Sequence, residues 1–189
     1  MSLFSAVAMA PRDPILGLNE QYAADPNPQK VNLGVGVYFD DNGKLPLLQC
    51  VQAAEKALMD TPTARGYLPI DGIAAYDNAV KALVFGADAE PVTSGRVATV
   101  QAIGGTGGLK IGADFLHKLN PNAKVLISDP SWENHRAIFQ NAGFEVDTYA
   151  YYDAAKRGVN FDGMLQSLRS AAPGTIAVLH AFCQNPTGY

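Results

Sequence analysis

Cationic residues are scarce and nowhere clustered. Fourteen Lys and Arg stand against eighteen Asp and Glu in 189 residues, for a formal net charge of −4. Nucleic acid and acidic lipid are drawn by grouped cations, so neither is an expected partner. There are two cysteines, Cys50 and Cys183, far apart and in neither a CxxC pair nor a zinc spacing. No metal site is therefore expected, and a reducing, cytoplasmic setting is the simplest reading, with a Cys50–Cys183 disulfide left open. No apolar run reaches the roughly 18 residues of a membrane span. The opening MSLFSAVAMAPRD lacks the basic region of a signal peptide, so the chain reads as soluble.

What is abundant is apolar: 48% of residues, against 17% charged, enough to build a core. The first forty residues carry Pro11, Pro14, Pro26 and Pro28 around the short helical pattern ILGLNEQYAAD, which suggests an arm or linker. VNLGVGVY, residues 31–38, reads as a strand broken by glycines, and DDNGK as a turn. LLQCVQAAEKALM and GIAAYDNAVKALVFG have helical spacing, with RGYLPIDG as the loop between them. After Gly95 the pattern alternates: RVATVQAI, KVLIS, FEVDTYAY and TIAVLHAF as strands, separated by three helical stretches. Such alternation with short joints indicates an α/β fold, a mostly parallel sheet with helices on both faces. The expected division is 1–44 for the arm and a small-domain segment, and 45–189 for a larger, incomplete domain.

Three of these strands end in loops with different chemical tools, and an open α/β sheet binds its ligand beyond the carboxyl ends of its strands. GGTGG, residues 104–108, leads straight into a helix, where backbone N–H groups and the helix start favour an anion such as phosphate; a plain tight turn is the competing reading. It is neither a dinucleotide fingerprint, since Lys110 stands where the third glycine belongs, nor a P-loop, since the Gly-Lys-Ser/Thr ending is missing. DPSWENH carries Trp132, the only tryptophan, whose indole can stack on a planar ring, and His135, which singly reads as a structural histidine. CQNPTG places Asn185 before Pro186, which holds its backbone extended; a cis bond there would aim its amide more narrowly. A phosphate cradle, an aromatic plate and an aimed amide suit a phosphorylated planar heterocycle, and pyridoxal 5′-phosphate fits.

VNLGVGVYFDDNGKLPLL, GYLPIDG, IGGTGGLKIGADFL, DPSWENH and HAFCQNPTG, in this order and spacing, resemble the aspartate and aromatic amino-acid aminotransferases, class I of the fold-type I pyridoxal-phosphate enzymes. The resemblance implies that Gly104, Gly105 and Thr106 hold the cofactor phosphate. It implies that Trp132 stacks on the pyridine ring and lies by the substrate. Asn185 would donate to the ring's phenolic oxygen and touch the substrate carboxylate. Tyr67 would reach the phosphate of the neighbouring subunit of a homodimer, Gly36 would lie against substrate, and the segment around Pro14 to Leu18 would grip the partner. His135 would support, from behind, the aspartate that pairs with the ring nitrogen. Two departures stand out: Gly104 where many relatives have serine, and Gln184 where a histidine is common.

The same resemblance implies that the Schiff-base lysine, the pyridinium-pairing aspartate and the carboxylate-clamping arginines lie beyond Tyr189, so these residues alone are expected to be inactive. No lysine here sits in a matching motif. The implied reaction moves an amino group from an L-amino acid, aspartate or aromatic, to a 2-oxo acid such as 2-oxoglutarate. Its rivals are a lyase or decarboxylase on the same fold, and a non-catalytic module binding a phosphorylated ligand.

Overall fold

The computed structural model describes residues 4–9, 16–32, 34 and 36–189. Pro11 and Pro14 of the expected arm, and Leu33 and Val35 of the first expected strand, lie outside them. The chain forms two compact units, Met1–Arg65 and Gly66–Tyr189.

The first unit holds two helices, α1 (Leu16–Ala24) and α2 (Gln49–Asp60). Lys30 closes α1: its ammonium donates to the carbonyls of Tyr22 (2.5 Å) and Asp25 (2.7 Å), satisfying acceptors that a helix end leaves open. The expected strand at 31–38 is not one among the described residues. Two glycines without side chains to pack, and no neighbouring strand, leave its backbone irregular. The DDNGK turn does form, with the Asp40 carboxylate accepting from the N–H groups of Asn42 and Lys44 and Gly43 at φ +70°.

The second unit contains α3 (Ala74–Phe85), α4 (Glu90–Thr93), α5 (Gly104–Leu119), β1 (Lys124–Asp129), α6 (Glu133–Asn141), β2 (Glu145–Ala150), β3 (Tyr152–Asp153), β4 (Gly158–Val159), α7 (Phe161–Arg169) and β5 (Ile176–Ala177). The expected α/β class is what is found. β1 lies at the centre of a parallel sheet of order β2-β1-β5, with Val125 opposite both Val146 and Ile176. A strand paired on both sides has no solvated edge, and Val125 to Ser128 are accordingly all buried. Because side chains alternate across a strand, Val125 and Ile127 enter one core with Ala113, Ile138, Phe139 and Phe144, while Leu126 and Ser128 point to the opposite face.

On that opposite face the polar ends of the strands are tied together. Tyr149 of β2, 2% exposed, donates its hydroxyl hydrogen to the Val178 carbonyl just past β5 at 3.0 Å, and Ser128 of β1 stands opposite Tyr149 in the parallel register. Burial pushes the Tyr149 phenol up from its ordinary value; the Ser128 hydroxyl beside it offsets part of this, and the neighbouring Tyr151 adds to the rise.

Three expected elements differ from what forms. RVATVQAI alternates in burial, with Val97, Thr99 and Gln101 half-buried and Ala98 and Val100 exposed, yet it joins no sheet among the described residues. The alternation is that of a strand, but no described strand lies beside it to take up its backbone groups. Only the start of TIAVLHAF pairs, its ladder ending with the Val178 N–H on the Leu126 carbonyl. FEVDTYAY stops at Ala150 and feeds the β3–β4 hairpin. GYLPIDG forms the loop expected of it. Its Gly72, at φ +101°, is needed because a Cβ there would lie 2.3 Å from that of Gln101, whose side chain accepts from the Ile73 N–H at 3.0 Å.

In the full-length protein, Tyr149→Phe should lower stability by about 1–3 kcal/mol, since it leaves the Val178 carbonyl without the donor it has in the fold. Urea unfolding measures this, and an unchanged midpoint would contradict it.

Candidate active site

Strand direction decides where the loops go. β1 and β5 are parallel, so Pro130–Trp132 and His180–Asn185 emerge at the same, carboxyl end of the sheet. α5 ends at Leu119 and β1 begins at Lys124, so the helix runs back along the strand and its start lies at that end too. Gly104, Gly105, Thr106, Trp132, His135 and Asn185 are thus brought to one rim of one unit.

The start of α5 is open. Ile103 precedes the helix without a side-chain cap, so the first N–H groups lack the partner that capping would give. Gly104 and Gly105 have only open space where a Cβ would stand, and Thr106 is exposed. Gly104 sits at φ +63°, in the left-handed region. A serine holding that backbone would cost about 1–2 kcal/mol.

Asp129–Pro130 is a cis bond, and so is Asn185–Pro186. Trp132 immediately precedes α6, half-buried against the core, and meets the His135 ring edge-on at 5.2 Å between centroids. His135 is 5% exposed; its Nδ1 bonds the Ser131 hydroxyl at 2.9 Å, and its ring meets that of His180 at 4.9 Å and 88°. His180 Nδ1 accepts from the Asn185 N–H at 3.2 Å, which puts the proton of the neutral imidazole on Nε2. That Nε2 is buried and has no partner among the described residues. A buried orphan donor at a rim of open N–H groups is a position for an acceptor to arrive. Asn185 is exposed; its backbone is held by His180, while its carboxamide has no partner among the described residues.

Gln184 is 1% exposed, as is its partner Ser128. Its amide donates to Ser128 Oγ at 2.9 Å and to the Pro130 carbonyl at 2.7 Å. Its Oε1 accepts from the Thr187 N–H at 3.0 Å and the Thr187 hydroxyl at 2.5 Å. Both donors and both lone pairs are used. In the sequence Gln184 stands out only as a departure, and Ser131 and His180 do not stand out. The one available signal for His180 was a polar side chain at the end of an apolar strand.

Other candidates are not brought to the rim. Tyr67 is fully exposed in the loop before α3, touching none of these residues. Gly36 belongs to the first unit, in exposed irregular backbone. Lys124 is at the opposite, amino end of β1, paired with Glu145 at 2.9 Å, and Lys110 pairs with Asp114 on the helix surface. No group of His, Cys, Asp and Glu among the described residues could hold a metal, and no described helix is long and apolar enough to cross a membrane.

Both imidazoles lie below the ordinary histidine value: at His135 burial acts first and the charge of His180 second, and at His180 burial acts alone. A histidine whose folded value is depressed binds fewer protons folded than unfolded. The stability it carries is therefore complete above about pH 6.5 and is lost as pH falls through the folded value. Histidine NMR on the full-length protein should show both residues titrating below 6.5, and midpoints at or above it would contradict the burial.

Known proteins resemble this chain along almost all its length. Residues 28–189 match the family described as "Aminotransferase class I and II". An aspartate aminotransferase of Pseudomonas aeruginosa is 62% identical over 188 residues, 100% of this chain and 47% of that protein. An aromatic-amino-acid aminotransferase of Escherichia coli is 46% identical over 98% of this chain and 47% of its own length. The crystal structure of an aromatic-amino-acid aminotransferase from Burkholderia pseudomallei, covalently bound to pyridoxal phosphate, superposes with a TM-score of 0.87 at 66% identity, over 98% of this chain and 47% of that one. The chain spans about half the length of the curated relatives it matches.

Proposed function

The chain belongs to the aminotransferase class I and II family, and we propose that the whole protein transfers the amino group of an L-amino acid, aspartate or aromatic, to a 2-oxo acid such as 2-oxoglutarate, with pyridoxal 5′-phosphate as cofactor. The observation that carries this reading is the meeting of an uncapped helix start, an indole and an unpartnered carboxamide at the carboxyl end of one parallel sheet. When bound, the cofactor supplies a carbonyl that condenses with amines and a ring that draws electrons from the substrate carbon.

Each residue then has a task. The N–H groups of Gly104, Gly105 and Thr106 hold the phosphate, helped by the partial positive charge of a 16-residue helix. Trp132 would pack against the ring and keep water from it. Asn185 would donate its amide hydrogen to the ring's phenolic oxygen and contact the substrate carboxylate. His135, fixed by Ser131, supports from behind the carboxylate that keeps the ring nitrogen protonated. The lysine that anchors the cofactor and moves the proton, and the arginines that grip substrate carboxylates, are assigned to the part of the relatives' length that this chain does not span. Tyr67, with its side chain in solvent, is assigned to the phosphate of a second subunit, and Gly36 to the substrate side, so that the working unit is a homodimer. Two exposed, unbridged cysteines suit a cytoplasmic setting.

The test is a two-step transfer with the full-length protein and bound cofactor. L-aspartate or L-phenylalanine alone should convert the cofactor spectrum stoichiometrically and release a 2-oxo acid, and 2-oxoglutarate should then restore the spectrum. Release of carbon dioxide or ammonia instead, or no restoration, would overturn the reading.

A further inference from the structure

Gln184 stands between two of the loops assigned to the cofactor and touches both. Its amide reaches down to Ser128 at the end of β1 and across to the Pro130 carbonyl, two residues before Trp132. Its Oε1 holds Thr187, two residues after Asn185. Its backbone closes the same loop, with the carbonyl accepting from the Gly188 N–H at 2.6 Å and the N–H donating to the Tyr189 carbonyl at 2.9 Å. Cys183, at φ +48°, makes the bend that turns Gln184 into the protein while Asn185 stays in the open.

We propose that Gln184 is the positioning residue of this site: one buried carboxamide sets the spacing between Trp132 and Asn185 and holds the Asn185 amide on target. The other bonds that hold the turn reach neither β1 nor the loop of Trp132: Asn185 is tied through its backbone N–H to His180 at 3.2 Å, and Tyr189, in an exposed position, is held by the Tyr151 hydroxyl on its carbonyl at 3.0 Å and by its own hydroxyl on the Arg157 carbonyl. Among the described residues Gln184 is the buried polar side chain of the turn. A histidine at this position, with two ring nitrogens, could serve at most two of the four partners that the amide serves. Glutamine also carries no proton that titrates near neutrality, so the anchor is the same at every working pH. The proposal rests on the reading above only in that Asn185 meets the cofactor; the linkage between the two loops is independent of it.

Two readouts on the full-length protein test this with Gln184→Met, which keeps the length and volume of the side chain and removes its bonds. The first is hydrogen–deuterium exchange without cofactor. Exchange should accelerate about tenfold in both 184–189 and 130–135, and not in β2. Acceleration confined to 184–189, or none, overturns the proposal. The second is cofactor binding, followed by absorbance, for wild type, Gln184→Met, Asn185→Ala and the double variant. Gln184→Met should weaken binding about tenfold and move the titration midpoint of the bound cofactor in the same direction as Asn185→Ala. The double variant should be no worse than Asn185→Ala alone, because Gln184 acts through Asn185. Additive effects overturn the proposal. If wild type binds no cofactor, the functional reading falls, and the exchange experiment still decides the role of Gln184. Should Gln184→Met not fold, Gln184→His retains part of the linkage and is expected to show the same exchange changes at smaller amplitude; wild-type exchange would overturn the proposal.

Discussion

Because β1 runs parallel to both β2 and β5, every loop that follows one of these strands leaves the sheet at one end, and the helix that leads back into β1 begins there. The chemistry of this chain is gathered by that constraint rather than by proximity in sequence. Gly104 and Asn185 are eighty-one positions apart (185 − 104), and what brings them to the same rim is the direction of the strands between them. A buried parallel sheet has to cover both faces, and the continuous apolar run within KVLIS does so, sending Val125 and Ile127 to one core and Leu126 and Ser128 the other way.

The carboxyl end of such a sheet is polar, and burying polar groups is costly unless each finds a partner. Here two bonds do this side by side: the Gln184 amide donates to the Ser128 hydroxyl, and the Tyr149 phenol, opposite Ser128 in the register, donates to the Val178 carbonyl. Between them they engage β1, β2 and the residue just past β5 at the level where the strands release their loops. The groups left unsatisfied at the rim, the first N–H groups of α5, the His180 Nε2 and the Asn185 carboxamide, are the ones a ligand could use. Satisfaction behind the rim and openness on it are two sides of the same arrangement.

Local pattern was enough to read most of this. The helical spacing of GIAAYDNAVKALVFG, the glycine run entering α5 and the Asn–Pro turn beyond an apolar strand are all short-range signals, and each led to the element or loop observed. RVATVQAI shows where pattern stops being sufficient. Its residues alternate as a strand's do, but pairing is a property of two strands, and no described strand lies beside it. The shortness of β5 has the same origin, since it has a neighbour on one side only. Gln184 shows the limit for the site. Its amide bonds Ser128, fifty-six residues earlier, a relation with no trace in local sequence. His180 was likewise hidden, because its significance lies in the edge of His135 against its ring and in the Asn185 N–H it holds.

The account stands on the claim that these loops form one cofactor site, and a crystal structure of the full-length protein with pyridoxal phosphate addresses it most directly. The phosphate should accept from the N–H groups of Gly104 to Thr106, with the ring lying on Trp132 and the Asn185 carboxamide on the ring oxygen. A cofactor bound away from the carboxyl end of β1, or a phosphate held elsewhere than at the start of α5, would contradict it.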